Sequence, residues 1–252
     1  MLDNFFRIAY TVFMRSRLEK NSWVLNTPIA HRGLHNETLP ENSIPAFENA
    51  VEFGYAIETD VQMSADGKLV IFHDDNLSRM TGFDGDIRKT DYETIKSLRL
   101  KNSEEHIPDF SELLNAVGGR APLLIEIKKQ LQKGIENKVI EALIGYKGEF
   151  AIQTFDPRIL MNFKKLAPDF LRGQLACGFE QKLGFIKQFI LKHTPLNFLS
   201  RPDFVNYDLS SLPTKKSNYS NLPLICWTVR TTEQKKKAEK MNLNYVFESI
   251  LP

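Results

Sequence analysis

The chain has 252 residues, of which 42% are hydrophobic and 25% are charged, proportions that exclude a disordered or fibrous protein. This length fits one large α/β domain or two small ones. The net charge of +2 excludes a chain-wide basic surface, so we expect no nucleic-acid partner.

Residues 1–27 predict an amphipathic N-terminal extension. The apolar side chains between residues 5 and 14 are interrupted by Arg7 and followed by Arg15, Arg17 and Lys20. A signal peptide would have an unbroken apolar centre, and a transmembrane helix would need about 18 apolar residues in succession. We therefore expect no membrane span, and the extension either packs on the domain or contacts a membrane surface peripherally.

After Pro28, short apolar runs alternate with stretches of helical periodicity. The candidate strands are Ile29–Ala30, Ala56–Gln62, Leu69–Phe72, Leu123–Ile127, Phe150–Thr154, Leu171–Leu175, Phe204–Tyr207, Leu224–Val229 and Tyr245–Phe247. The candidate helices include Ile44–Phe53, Phe110–Val117, Ile135–Ile144, Pro157–Leu166 and Thr232–Met241. Such alternation is typical of a parallel sheet covered by helices, and we assign residues 28–252 to one domain.

One connection breaks this alternation. The second and third strands are separated by only six residues, which contain the tight-turn pair Asp66-Gly67 and cannot hold a crossover helix. We expect an antiparallel hairpin, and a turn centred between these two residues places Asp60 opposite His73. The other eight strands predict a TIM-type (β/α)8 barrel, with the hairpin and a small cap insertion, residues 75–109, after the second strand. An open doubly wound sheet is the alternative, but no glycine-rich dinucleotide fingerprint follows any strand.

Acidic side chains lie at the ends of two neighbouring barrel strands, where barrel enzymes carry their chemistry. Glu58 and Asp60 are two residues apart, so they point to the same face of one strand. Glu126 lies at the matching height of the following barrel strand. Three carboxylates on one face repel each other unless a cation binds them, and oxygen ligands suit Mg²⁺ or Ca²⁺. The sequence therefore predicts a site for one divalent cation.

Two histidines, His31 and His73, follow strands that flank these carboxylates. Histidine is the usual general acid or base near neutral pH. Beside a metal-bound anion, such a pair indicates in-line attack on phosphorus: one histidine takes a proton from the nucleophile and the other donates one to the leaving oxygen. Arg32 and Lys128 supply positive charge for a phosphate.

Two further strand ends hold candidate substrate-binding residues. Gln153 either reaches the phosphate or orients a neighbouring side chain. Trp227 either stacks on the substrate or packs within the barrel.

The two cysteines, Cys177 and Cys226, form no CxxC pair and have no histidine pair nearby. This predicts neither a disulfide framework nor a zinc site, and we expect a cytoplasmic location.

Several motifs occur together after Pro28. They are His31-Arg32-Gly33, Pro40-Glu41-Asn42-Ser43, Ala46-Phe47, Glu58-Thr59-Asp60-Val61, Asp66-Gly67, Val70 to Asp74, Thr81-Gly82, Ile107-Pro108, Phe110, Ile125-Glu126-Ile127-Lys128, Gln153-Thr154-Phe155-Asp156 and Trp227-Thr228-Val229. With these motifs the chain resembles the glycerophosphodiester phosphodiesterase family over most of its length after Pro28.

The resemblance implies a TIM-type barrel with a divalent ion held by Glu58, Asp60 and Glu126. It implies that His31 and His73 are the catalytic pair and that Arg32 helps to hold the phosphate. It also implies attack by a glycerol hydroxyl on phosphorus, with glycerol 3-phosphate and an alcohol as products.

Two positions depart from the family pattern at the rim of the predicted barrel. Arg230 follows Trp-Thr-Val where the family usually has asparagine, and Glu248 lies in the altered last strand end. Because of these two departures, the sequence does not predict the head group of the substrate. An alternative function is the cleavage of lysophospholipids or other lipid phosphodiesters at a membrane surface; a third, which requires a damaged site, is non-catalytic phosphodiester binding. The oligomeric state is not readable from the sequence.

Overall fold

The computed structural model describes residues 16–178, 189, 192–213 and 222–252. The apolar part of the predicted extension, residues 5–14, lies outside these ranges. The described chain divides into two compact units, Ile29–Phe150 and Met1–Pro28 with Ala151–Pro252.

The strands agree closely with the sequence predictions. They are β1 (Ile29–Ala30), β2 (Ala56–Met63), β3 (Leu69–Ile71), β4 (Leu123–Ile127), β5 (Phe150–Thr154), β6 (Leu171–Ala176), β7 (Phe204–Asp208), β8 (Leu224–Val229) and β9 (Tyr245–Phe247). The helices are α1 (Trp23–Asn26), α2 (Ile44–Glu52), α3 (Ser78–Thr81), α4 (Tyr92–Ser97), α5 (Phe110–Val117), α6 (Ile135–Leu143), α7 (Pro157–Leu166), α8 (Asn197–Ser200) and α9 (Thr232–Lys240).

In the first unit, β2 pairs in parallel with β1 on one side and with β4 on the other. All eight residues of β2 are buried, as are all five of β4, which explains why the side chains of both strands that do not carry the candidate chemistry are mostly apolar. Helix α2 begins where the Ser43 hydroxyl accepts a hydrogen bond from the Ala46 N–H. Helix α5 begins with a capping box between Asp109 and Glu112.

The predicted hairpin is present, because β2 and β3 are antiparallel, but its predicted register is wrong by one residue. Val61 lies opposite Ile71, and the Phe72 N–H donates to the Asp60 carbonyl at 3.0 Å. Asp60 therefore lies opposite Phe72 and not His73. The reason is that the loop is symmetric about Asp66: it is closed by the Ser64 N–H donating to the Lys68 carbonyl, with Gly67 at a φ of +85°.

The segment 75–109 contains α3, a 3-10 turn at Ile87–Lys89, and α4. Its apolar side chains pack against Val70 and Phe72 of the hairpin. The buried cluster consists of Val70, Phe72, Leu77, Met80, Ile87, Ile95, Leu100 and Ile107. Since Phe72 belongs to this cluster, the packing anchors the chain immediately before His73.

In the second unit, β5, β6, β7, β8 and β9 pair in parallel in chain order. Helix α7 begins at Asp156 and Pro157, and α9 begins with a capping box between Thr231 and Gln234. The described start of the chain packs on this unit, because Arg17 forms an ion pair with the buried Asp203 at 2.7 Å.

Both units have the parallel pairing and the strand–helix repeat of a TIM-type (β/α)8 barrel, which confirms the predicted fold class. Within the described ranges, no helix is long and apolar enough to cross a bilayer.

Candidate active site

The turn after β1 has an unusual backbone that aims Arg32 at the carboxylates. Arg32 has a φ of +56° and Gly33 a φ of +80°. A Cβ at Gly33 would lie 2.9 Å from the backbone of Ala46, so only glycine fits there. The Arg32 N–H donates to Glu58 Oε2 at 3.0 Å, and Arg32 Nε lies 3.6 Å from Asp60 Oδ2.

The three predicted metal ligands come together. Asp60 on β2 is in register with Glu126 on β4, and Glu58 points to the same face two residues before Asp60. Oxygen atoms of the three carboxylates lie within 4.8 Å of one another, and all three residues are buried. Strand parity and parallel register thus produce the cluster that the sequence predicted.

Lys128 lies between two of these carboxylates. Its Nζ is 2.9 Å from Asp60 Oδ1 and 2.8 Å from Glu126 Oε1. Although burial opposes its charge, the two neighbouring carboxylates raise the pKa of Lys128, so the ammonium stays charged. Lys128 is therefore part of the charge balance of the cluster.

The carboxylates differ in how easily they ionise. Burial, followed by the negative charges of Asp60 and Glu126, raises the pKa of Glu58 well above its usual range. Burial would also raise the pKa of Asp60, but the charges of Lys128, His73 and Arg32 and the hydrogen bond from Asn42 together outweigh burial and lower the pKa. An all-oxygen cluster in which one carboxylate resists ionisation suits a hard divalent cation, since added positive charge removes that resistance.

The two histidines have different neighbours. His31 Nε2 lies 3.9 Å from Glu58 Oε2, beside the carboxylate cluster. His73 Nδ1 is 2.6 Å from Asp74 Oδ1. The position of His73 is set by Gln62, whose Nε2 donates to the backbone carbonyls of Phe72, His73 and Asp74.

Sequence reasoning missed one residue that orients the cluster. Asn42 has a φ of +57°, its Nδ2 donates to Asp60 Oδ2 at 2.9 Å, and its Oδ1 accepts from the Thr59 hydroxyl at 2.9 Å. The sequence places Asn42 in the Pro40–Ser43 motif without assigning it a role, and Ser43 is the N-cap of α2. The signal available in the sequence was a second polar residue, Asn42, immediately before the N-cap residue Ser43.

Two more residues that the sequence did not assign are Glu41 and Arg79. Glu41 Oε1 accepts from Arg32 Nη1 at 2.7 Å and from Arg79 Nη2 at 2.6 Å. Glu41 stands beside Asn42 in the Pro40–Ser43 motif, whereas nothing local to Arg79 indicates that it reaches Glu41.

Gln153 and Trp227 lie near the ends of β5 and β8 in the second unit, where Asn206 of β7 links them. Asn206 Nδ2 donates to Gln153 Oε1 at 2.9 Å, and Trp227 Nε1 donates to the Asn206 carbonyl at 3.2 Å. Phe155 meets the Trp227 ring edge-on with centroids 5.7 Å apart. Trp227 is thus fixed by its polar end and by ring packing.

The two departures at strand ends pair with each other. Arg230 Nη2 lies 3.0 Å from Glu248 Oε2. The substitutions are therefore complementary in charge and add little net charge to this edge of the second unit.

Comparisons with known proteins bear on this geometry. The sequence profile of the Glycerophosphoryl diester phosphodiesterase family matches residues 31–248. Glycerophosphodiester phosphodiesterase of Caldanaerobacter subterraneus subsp. tengcongensis is 39% identical over 163 residues, 60% of this chain and 67% of the relative. Glycerophosphodiester phosphodiesterase of Bacillus altitudinis is 34% identical over 152 residues, 55% of this chain and 62% of the relative.

The fold is similar to that of a phosphodiesterase of Oleispira antarctica, whose structure was solved in complex with the product sn-glycerol-3-phosphate. The likeness covers 88% of this chain and 92% of the other, with a TM-score of 0.73 and 25% identity. The chain therefore belongs to the glycerophosphoryl diester phosphodiesterase family, and the prediction that it is an enzyme of this class is confirmed.

Proposed function

We propose that this chain hydrolyses glycerophosphodiesters to glycerol 3-phosphate and an alcohol, with the aid of one divalent cation, Mg²⁺ or Ca²⁺. The observation that carries the proposal is the buried convergence of Glu58, Asp60 and Glu126, with oxygen atoms within 4.8 Å, beside His31. The product named for the Oleispira antarctica structure supports the choice of glycerol 3-phosphate.

The three carboxylates would hold the cation through oxygen. When bound, the cation supplies positive charge that stabilises the negative charge developing on the phosphoryl oxygens. Arg32 and Lys128 would bind the same anion. Arg32 would use the part of its guanidinium group that faces Asp60, and Lys128 would act as a point charge.

The histidines move the protons. One of His31 and His73 takes the proton of the attacking hydroxyl as the new P–O bond forms. The other donates a proton to the leaving alcohol oxygen as the old P–O bond breaks. With a glycerol hydroxyl as the nucleophile, these two transfers release the alcohol and leave a cyclic glycerol phosphate. Water then opens this ring to glycerol 3-phosphate while the two histidines exchange roles, so no net proton is gained or lost.

Gln153 and Trp227 would bind the rest of the substrate. The hydrogen bond from Asn206 occupies Gln153 Oε1, so the amide donors of Gln153 are oriented away from that bond and can serve an anionic acceptor. Trp227 has its N–H engaged, so its contribution is the apolar ring face.

We also propose residues 28–252 as the catalytic barrel, with residues 1–27 as an extension and residues 75–109 as a small cap. The cytoplasmic location and a peripheral membrane contact through the extension stay predictions.

The test is an assay of glycerophosphocholine hydrolysis that measures the release of glycerol 3-phosphate. We expect activity that a chelator abolishes and that Mg²⁺ or Ca²⁺ restores. Glu58→Gln should lose cation binding in calorimetric titration, while Glu48→Gln, an exposed glutamate on α2, should bind the cation as the wild type does. Full activity after exhaustive chelation would contradict the metal role.

The same assay separates the alternative substrate. Lysophosphatidylcholine is offered beside glycerophosphocholine, and choline release from each is compared. A large preference for the lipid would replace the small-molecule proposal with the lipid one.

A further inference from the structure

Arg79, on the short helix α3 of the segment after the hairpin, connects two parts of the site through carboxylates. Its Nε donates to Asp74 Oδ2 at 2.5 Å, and its Nη2 and Nη1 donate to the two oxygens of Glu41 at 2.6 and 2.9 Å. Both contacts use the planar fork of the guanidinium, which fixes the orientation of both carboxylates.

On one side of this bridge stands His73. Asp74 Oδ1 lies 2.6 Å from His73 Nδ1, while the other oxygen of Asp74 is held by Arg79. An ionised carboxylate only accepts hydrogen bonds, so the ring proton in this contact belongs to Nδ1. The neutral ring then has its lone pair on Nε2, which is the atom left to exchange a proton with the substrate.

On the other side stands Arg32. Glu41 Oε1 accepts from both Arg79 Nη2 and Arg32 Nη1, so the two guanidinium groups share one oxygen atom. Burial would raise the pKa of Glu41, but the hydrogen bonds and charges of Arg79 and Arg32 together outweigh burial and lower the pKa. Glu41 is therefore a fixed anion between two arginines.

The bridge acts on side chains and not on the backbone. The carbonyls of His73 and Asp74 are held by Gln62, independently of Arg79. The side chain of Arg79 is 47% exposed, and ion pairs of such exposure contribute little to the free energy of unfolding. Loss of Arg79 would thus release the Asp74 carboxylate while leaving the chain around it in place.

We propose that Arg79 is a positioning residue for the reaction of the previous subsection, and the inference rests on that proposed function. Through Asp74 it holds His73 in the form protonated at Nδ1, and through Glu41 it holds the guanidinium of Arg32. The ion pairs of Arg79 go to Glu41 and Asp74 and not to the carboxylate cluster.

The experiment compares Arg79→Met with Arg88→Met in the full chain. Arg88 is the matched control, because it lies in the same segment and also binds two carboxylates, those of Asp86 and Asp75. Arg79→Met should lower kcat on glycerophosphocholine roughly 10-fold, the scale of a misplaced catalytic group. Arg88→Met should change kcat less than about 2-fold, because the carboxylates that it binds are not those that hydrogen-bond to His73 and Arg32.

The decisive readout is a double-mutant cycle with His73→Ala. If Arg79 acts through His73, Arg79→Met should cost clearly less in kcat once His73 is absent, because only the part that acts through Glu41 and Arg32 remains. An equal loss in both backgrounds would show a general structural effect and would overturn the proposal.

A second measurement does not depend on activity. ¹⁵N NMR of the neutral His73 ring should show the Nδ1-protonated tautomer in the wild type and in Arg88→Met, and a shift toward the Nε2-protonated tautomer in Arg79→Met. An unchanged tautomer in Arg79→Met would overturn the inference. A wild type that is inactive on glycerophosphodiesters would refute the proposed function instead, and the tautomer measurement would still decide the role of Arg79.

Discussion

Lys128→Met tests how the buried carboxylates are balanced. The substitution keeps most of the side-chain volume and removes the ammonium that lies 2.9 Å from Asp60 and 2.8 Å from Glu126. Asp60 keeps the hydrogen bond from Asn42 and the charge of Arg32 at 3.6 Å, whereas Glu126 loses a direct ion pair. The substitution therefore leaves charge buried without its partner.

Breaking a buried ion pair from one side costs about 3–5 kcal/mol of the free energy of unfolding. At about 2–4 °C per kcal/mol for a chain of this length, the melting temperature should fall on the order of 10 °C. A divalent cation at one hundred times its dissociation constant should return about 2.7 kcal/mol. We therefore expect a large loss of stability in chelator, part of which saturating Mg²⁺ restores to the variant.

The assay is thermal and urea unfolding of wild type and variant, each with chelator and with Mg²⁺. Lys68→Met is the matched control, because Lys68 Nζ lies 2.9 Å from Asp109 Oδ2 but its side chain is 44% exposed. It should cost about 1 kcal/mol or less. If Lys128→Met costs no more than this control in chelator, the charge-balance reasoning is refuted.

The remaining predictions concern the histidines, the pH dependence and the hairpin. His31→Ala and His73→Ala should each lower kcat by ~10²-fold or more in steady-state kinetics. His106→Ala is the control and should keep the wild-type kcat, because the His106 ring contacts Glu112 and not the carboxylate cluster. Burial and then the neighbouring carboxylates raise the pKa of Glu58, so the folded metal-free protein keeps a proton that the unfolded chain releases. The free energy of unfolding should therefore fall as the pH rises from 4.5 through the raised pKa. Urea titrations at several pH values check this, and saturating Mg²⁺ should remove the fall. Gln62→Leu should cost about 1–3 kcal/mol in urea unfolding, since buried carbonyls at the hairpin end lose their donor.

The strands could be predicted because their buried residues leave a local signal. The bounds of β1, β4, β5, β8 and β9 match those expected from apolar runs alone. The carboxylate cluster could be predicted for the same reason: side-chain parity along β2 is fixed by the period of two, and the parallel neighbour supplies Glu126 at the same height.

The register of the hairpin was predicted less accurately than the strands, because the register depends on one hydrogen bond. A turn centred between Asp66 and Gly67 and a loop symmetric about Asp66 have the same sequence, and closure by Ser64 and Lys68 selects the latter. The shift moves His73 one residue beyond the pairing partner of Asp60. Its ring is then placed by Gln62 and Asp74, both of which act through contacts invisible to local pattern.

Asn42 shows why an orienting residue escapes such patterns, although its neighbour in the turn, Arg32, was predicted. Both have a positive φ, and the Asn42 N–H donates to the Arg32 carbonyl at 2.9 Å, so the two conformations support each other. Asparagine tolerates this conformation, whereas arginine adopts it at a cost that surrounding contacts must offset. At Arg32 those contacts are its own N–H to Glu58 and its guanidinium to Glu41 and Asp60. The strained turn thus aims both the backbone N–H and the side chain of one arginine at the carboxylates.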